Sequence, residues 1–470
     1  MKRRPPISMR SALRSVAIFT LTIGTALGAA CALAGELPRY KLKVGQELTY
    51  TTAQPAENKE EKDARPRATN EWVFTVAEQK DNGSWRILFR RKMSYGGSRE
   101  NTQEGYFELV PDGRIALNPT LTVNANPTVF FPALPADEEA LKKGWSSEIA
   151  LDQTRCDFQA PAGPPAPDAT TFAFGDDVQT VFSPIYLLTT HNDYDFDLQA
   201  GLVRKVTSTY KQGWPERAAE RASTSAMELK GERQLDSPDV AALNAEMTRY
   251  FEVCAAYDEV MAQTSDFARM EEIVDRAAAV LKDAQGKFKL PAVEKQLDEK
   301  LTQHQQSRSY YLDNAERFAK RIGQPSEEWQ TEDLDGHPRS LADYRGKVVL
   351  LDFWYRGCGW CIRAMPQIKQ LVDDFPRDKF VVLGMNNDNN LDDARLVIEK
   401  MGLNYETLKN GDHQNGIHQK YGVQGWPTLV MLDGQGVVRQ IHIGYSPNLR
   451  AELSAQIRKL LDEKVAAKTE

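Results

Sequence analysis

Two cysteines two residues apart, Cys358-Gly359-Trp360-Cys361, stand just beyond the end of an apolar run. The run 348–354 reads as a buried strand, and the residues after Cys361 have the pattern of a helix beginning. Downstream, Gly425-Trp426-Pro427-Thr428 leads into a second apolar strand. A C-x-x-C pair supports three chemistries: half of a zinc site, a passive disulfide, or a dithiol–disulfide cycle. Zinc would need two further ligands, and the nearest histidines, His337, His413, His418 and His442, form no second paired motif. The strand-to-helix position favours redox chemistry. There the unpaired N–H groups and dipole of a helix N-terminus favour a thiolate at the first cysteine. The thiolate attacks in disulfide exchange, and the second thiol resolves the mixed disulfide.

The segment around the pair resembles the thioredoxin-like superfamily, specifically its extracytoplasmic TlpA/ResA-type branch. The residues that carry the likeness begin at Ile322-Gly323-Gln324-Pro325 and continue through Leu334-Asp335-Gly336-His337 and Leu341-Ala342-Asp343-Tyr344-Arg345-Gly346-Lys347. They pass the CGWC motif, then cover Tyr421-Gly422-Val423-Gln424-Gly425-Trp426-Pro427-Thr428 and Asp433-Gly434-Gln435-Gly436. The resemblance implies an α/β thioredoxin fold over the C-terminal third and thiol-disulfide oxidoreductase activity. Cys358 matches the family's nucleophile and Cys361 its resolving cysteine. Pro427 matches a cis-proline beside the disulfide, a bond geometry uncommon elsewhere.

Asp352, six residues before Cys358, matches a buried acid. A carboxyl buried there would have a raised pKa and would take the proton from Cys361. The alternative reading is that Asp352 only ends a strand and hydrogen-bonds locally. Trp360 and Trp426 are the residues assigned to substrate contact. No cofactor is implied beyond the redox-active Cys358–Cys361 disulfide. The implied partners are protein thiols or disulfides and an electron-donating thiol protein. The chain also departs from the family. Gly357 stands where many relatives have Trp, Trp360 where many have Pro, and Ala364 where many have an acid. Arg356 and Arg363 flank the motif, either as thiolate-stabilising cations or as solvated side chains.

The compartment is read from the other end. Residues 1–14 carry five Lys and Arg and no acid, and residues 15–34 are uncharged and apolar, ending Ala32-Leu33-Ala34. That is the order of a secretory signal peptide, with a cut after Ala34. The apolar stretch 15–34 is also long enough to remain as a membrane tether. A lipoprotein cut before Cys31 is a third reading, though Leu27 sits one place too early for it. Each predicts an extracytoplasmic, periplasmic location. Five cysteines in 470 residues do not make a disulfide framework. A net charge of −7 argues against nucleic acid as a partner.

The remainder divides into regions, giving a multidomain chain. Residues 35–236 alternate in short strand-like runs such as Glu71–Val76 and Trp85–Arg90, broken by Asp81-Asn82-Gly83 and Pro111-Asp112-Gly113. This predicts an N-terminal antiparallel β domain, with Trp72, Trp85, Trp145 and Trp214 as core or edge aromatics. Residues 54–69 and 160–170 read as loops. Residues 237–321 change to helical periodicity: a helix opening at Ser237-Pro238 as cap and first residue, a second over 266–285, and a third from Pro291. This helical region is a spacer or a dimerising hairpin. Residues 322–470 form the thioredoxin-like unit. Cys156 and Cys254 read as buried thiols.

Three functions compete. The first is an exported thiol-disulfide oxidoreductase working through Cys358 and Cys361. The second is a thiol peroxidase of the redoxin superfamily, for which Tyr355 stands where the usual Thr would be. The third is an interaction protein with an accessory redox domain.

Overall fold

The structure, a computed structural model, describes residues 37–52, 69–95, 99–117, 127–149, 154–161, 169–214, 217–411 and 416–466. The signal or tether segment 15–34, with Cys31, lies outside the described residues, as does most of both predicted loops. No helix among the described residues is long and apolar enough to cross a membrane.

Eleven strands form one antiparallel sheet. They are β1 (Gln46–Thr52), β2 (Thr69–Gln79), β3 (Trp85–Tyr95), β4 (Arg99–Leu109), β5 (Ile115–Leu117) and β6 (Trp145–Ile149). β7 (Thr154–Phe158), β8 (Thr171–Gln179), β9 (Leu188–Asp197), β10 (Leu202–Trp214) and β11 (Arg217–Gln234) complete it. The order is β5-β4-β3-β2-β1-β11-β10-β9-β8-β7-β6. The edge strands β5 and β6 approach each other, so the sheet curls almost into a barrel. Alternation decides the faces. Phe74, Val76, Ile87, Phe89 and Phe107 point into an aromatic interior, where Phe74 meets the rings of Phe107, Phe130 and Phe131 at 5.0–6.2 Å. Ala77, Leu88 and Tyr106 point outward against helices. Trp72 and Trp85 belong to the interior, while the side chain of Trp214 lies outside what is described. Two short helices interrupt the strands, α1 (Glu138–Lys143) and α2 (Ser183–Tyr186).

Three longer helices follow: α3 (Ser237–Met261), α4 (Met270–Ala284) and α5 (Pro291–Ala319). The cap of α3 is Asp236, not Ser237, whose own backbone is already helical. Pro238 thus occupies the second helical position, where its missing N–H still costs no helix bond. The helices have two tasks. Met247, Phe251, Leu281 and Leu297 pack on the outer face of β2–β4. Phe267, Met270, Val274, Ala315 and Phe318 join the core of the C-terminal sheet. A fragment cut at residue 322 would therefore expose that face of the sheet, and each fully buried side chain of this size is worth about 1.5–3 kcal/mol.

A two-stranded ribbon, β12 (Gln330–Glu332) and β13 (Pro338–Ser340), leads into the second sheet. Its strands are β14 (Val348–Trp354), β15 (Phe380–Asn386), β16 (Glu406–Lys409), β17 (Thr428–Leu432) and β18 (Val438–Ile443). The order is β16-β15-β14-β17-β18, with β14 parallel to β15 and antiparallel to β17. All seven residues of β14 are buried, as a central strand covered on both faces requires. Helices α6 (Gly359–Asp374) and α9 (Leu449–Ala466) cover one face through Ile368, Leu371, Leu453 and Ile457. The short helices α7 (Leu391–Met401) and α8 (Ile417–Lys420) complete the unit. An N-terminal antiparallel sheet, helices and a C-terminal thioredoxin-like α/β region, each expected from the pattern, are present.

Candidate functional site

Strand β14 ends at Trp354 and helix α6 begins at Gly359, so the turn between them presents the cysteines at a helix N-terminus. Cys358 is the N-cap. Its Sγ accepts a hydrogen bond from the Cys361 N–H at 3.1 Å. The cysteines form a disulfide with Cα atoms 5.2 Å apart. Once the pair is reduced, that N–H and the helix dipole would favour a thiolate at Cys358. Cys361 lies one turn inside, with 1% of its surface exposed.

The Trp426–Pro427 bond is cis, and Trp426 packs against the cluster that contains both cysteines. Tyr355 meets Trp426 edge-on at 5.6 Å. Trp360 is exposed and stacks on Tyr445 at 5.7 Å. His418, one of the histidines near enough to suggest a metal, is buried beside Trp426 and within 2.7 Å of Asn410.

Asp352 is buried on the face of β14 that α6 covers, sharing it with Leu350 and Trp354. The Tyr405 hydroxyl donates to its Oδ2 at 3.1 Å, and Oδ1 has no hydrogen-bond partner among the described residues. Burial raises its pKa to about 7, against the smaller opposing pull of the Tyr405 hydrogen bond. No cation faces it among the described residues. The carboxyl is thus poised to exchange a proton near neutral pH.

Gly384 is the strand partner of Asp352. A Cβ there would lie 2.8 Å from Trp354 Nε1, 2.9 Å from Thr407 Oγ1 and 3.3 Å from the Tyr405 ring. The glycine makes room for the tyrosine that holds the acid. Gly384→Ala should destabilise the fold by about 1–3 kcal/mol, as overpacking of a buried site does. A denaturant midpoint equal to wild type would show that the site relaxes freely.

The flanking arginines are not solvated. Arg356 is 3% exposed and Arg363 8% exposed. Arg356 pairs with Asp393, and its Nη2 donates to the Ile185 carbonyl at 2.8 Å. Its own carbonyl accepts from the Tyr186 hydroxyl at 3.2 Å. Arg363 lies over the rings of Phe182 and Trp360, 5.2 and 5.6 Å from their centroids. Ile185, Tyr186 and Phe182 belong to the β8–β9 connection of the β domain. That connection turns through Leu187, whose left-handed backbone (φ 47°) costs a side-chain-bearing residue roughly 1–2 kcal/mol.

The structure thus brings Cys358, Cys361, Asp352, Trp360, Trp426 and Pro427 into one region. Tyr405, Gly384 and the β8–β9 connection were not singled out from the sequence. Nothing in the sequence marks a segment some 170 residues before the cysteines as their neighbour. Cys254 is a buried thiol on α3. Cys156 is buried and hydrogen-bonded to Asp176 at the wall of a β-domain cavity of about 910 Å³.

The AhpC/TSA family model matches residues 322–441. The thiol-disulfide oxidoreductase ResA of Geobacillus kaustophilus is 31% identical over 129 residues, covering 27% of this chain and 73% of the relative. The thioredoxin-like protein YneN of Bacillus subtilis is 31% identical over 125 residues, 26% of this chain and 71% of the relative. The thiol:disulfide interchange protein DsbE of Pseudomonas fluorescens is 28% identical over 160 residues, 33% of this chain and 86% of the relative.

Proposed function

The chain belongs to the thioredoxin-like superfamily, in its TlpA/ResA-type branch, through its C-terminal third, and is an oxidoreductase; on that premise we propose that it is an exported thiol-disulfide oxidoreductase. The Cys358–Cys361 pair exchanges disulfides with protein substrates. Cys358 attacks, Cys361 resolves, Asp352 accepts the proton that Cys361 must lose, and Trp360, Trp426 and Pro427 bound the surface on which substrate lies. Electrons reach the pair through a second thiol protein. The observation that carries this reading is the Cys358–Cys361 disulfide at the N-terminus of α6, with Cys358 as the helix cap. Export rests on the basic and apolar order of residues 1–34.

The test is turnover of the full chain on two oxidants, an insulin-type protein disulfide and hydrogen peroxide, with a dithiol as electron source. Reduction of the protein disulfide dependent on the cysteine pair is expected. Turnover of peroxide alone would overturn the reading in favour of a thiol peroxidase.

A further inference from the structure

Disulfide exchange needs no β domain, yet a β-domain turn stands over the redox pair. Ile185 is fully buried in one cluster with Cys358, Cys361, Ile362 and Met365. The Phe182 ring lies 3.6 Å from where a Cβ would stand on Gly359, inside the CGWC motif itself. Arg356 fastens the turn twice, through the Ile185 carbonyl and the Tyr186 hydroxyl. Cys358, the residue a substrate must reach, keeps 5% of its surface, while Trp360 two residues on is 42% exposed. The site is open beside the tryptophan and shut over the sulfur.

We propose that the Val181–Tyr186 turn is the specificity element of the redox site, lying where a substrate polypeptide would lie, so that small disulfides exchange with the closed form and protein disulfides only when the turn lifts. This rests on the reading of Cys358 as the attacking thiol. In that reaction the Cys358 thiolate attacks one sulfur of the substrate disulfide. A Cys358–substrate S–S bond forms, the substrate's own S–S bond breaks, and its second sulfur leaves as a thiolate. Cys361, having lost its proton, attacks Cys358 Sγ. The internal disulfide re-forms and the first substrate sulfur leaves. Two electrons have passed to the substrate, and a dithiol protein returns them. The attack needs space over Cys358 Sγ in line with the target bond. A small disulfide needs little; a folded protein needs the ground that Phe182 and Ile185 occupy.

The turn is fastened at its centre, and its ends have room. Thr180 and Leu188, at its two ends, line the β-domain cavity, so its ends face open space rather than packed core. At its C-terminal end Leu187 holds a left-handed backbone, a conformation costly for a residue with a side chain and so one that a lifted turn could relax.

The reduced full-length protein would be assayed on 2-hydroxyethyl disulfide and on insulin, as wild type and as Phe182→Ala. The ratio of insulin rate to small-disulfide rate should rise roughly three- to tenfold in the variant, the shift expected from losing one aromatic contact in the closed form. An unchanged ratio would sink the proposal. Wild type alone gives a second measure. In the reduced protein, N-ethylmaleimide should label Cys358 faster than a polyethylene-glycol maleimide does, by about tenfold more than in the denaturant-unfolded protein, as a mostly closed form requires. Equal preference in folded and unfolded protein would also overturn it. Cys358→Ser on the small disulfide reports on the underlying reading alone: activity retained there removes the redox role whatever the turn does.

Discussion

Cys358→Ser should abolish disulfide reduction while leaving the fold in place. A serine hydroxyl is nearly isosteric with the thiol but stays protonated near neutral pH, so the attacking anion is lost. The fold should survive because the cysteine's structural task is to cap α6, where its sulfur accepts the Cys361 N–H. Serine is among the preferred residues for that task. What the variant does lose is the cross-link. Closing so short a loop contributes about 2 kcal/mol on the chain-entropy account, so the serine protein should melt below oxidised wild type and near reduced wild type. Cys361→Ser should behave differently. Its Cys358 thiolate still attacks but nothing resolves the product, so mixed disulfides with partner proteins should accumulate on non-reducing gels. Normal turnover by Cys358→Ser would end the assignment. Mixed disulfides trapped by Cys358→Ser instead of Cys361→Ser would reverse the two roles.

The redox motif was legible because its chemistry and its local structure are both local in sequence. A fully apolar run, a C-x-x-C and a helical pattern follow one another within about thirty residues, and each constrains the next. That Asp352 is a buried acid was suggested only by resemblance, since the residues alone allow a carboxyl that ends a strand and hydrogen-bonds locally; β14 instead runs on through Phe353 and Trp354. Its environment depends on Tyr405 and Gly384, which reach it from β15 and the approach to β16 through sheet pairing, and pairing partners are not written in periodicity. The arginines show the same limit from the other side. Charge next to a reactive cysteine suggests a thiolate partner, but Arg356 is spent on Asp393 and on a β-domain carbonyl. The β region was readable as antiparallel strands. That its sheet curls until β5 meets β6, and that one of its turns reaches the cysteines, follows from packing between distant segments.

Helices α3–α5 occupy the same middle ground. Their periodicity marks apolar faces without saying what covers them. The structure divides the faces between two neighbours, the outside of β2–β4 and the back of the thioredoxin-like sheet. The redox unit is thereby held against the β domain from behind by helices and from in front by the β8–β9 turn.

Asp352→Asn should act on both stability and rate, each with its own pH signature. In the native state the carboxyl keeps its proton up to about pH 7. In the unfolded chain it loses the proton near pH 4. Between those values the native state binds more protons than the unfolded one, so stability falls as pH rises through that window. The gap between the two pKa values is worth about 4 kcal/mol, an upper figure for the cost of the buried anion. The stability conferred by the neutral form is fully present below pH 4 and lost above pH 7. Asparagine carries no such charge, so the variant's unfolding free energy should be flatter across this range and should exceed wild type at pH 8.

The kinetic signature runs the other way. The acid can accept the proton of Cys361 only when ionised, so resolution of the mixed disulfide should gain from Asp352 above pH 7 and not well below it. A positioned base contributes about 10²-fold or more to such a step. The ratio of wild-type to Asp352→Asn decay rates should therefore climb through neutral pH, while attack by Cys358 changes little. Tyr405→Phe should move the midpoint of that climb upward, because the hydroxyl it removes favours the carboxylate. Stopped-flow decay of a preformed mixed disulfide measures the ratio directly. Equal decay in wild type and Asp352→Asn from pH 6 to 9 would take Asp352 out of the mechanism and leave it as a costly buried strand residue.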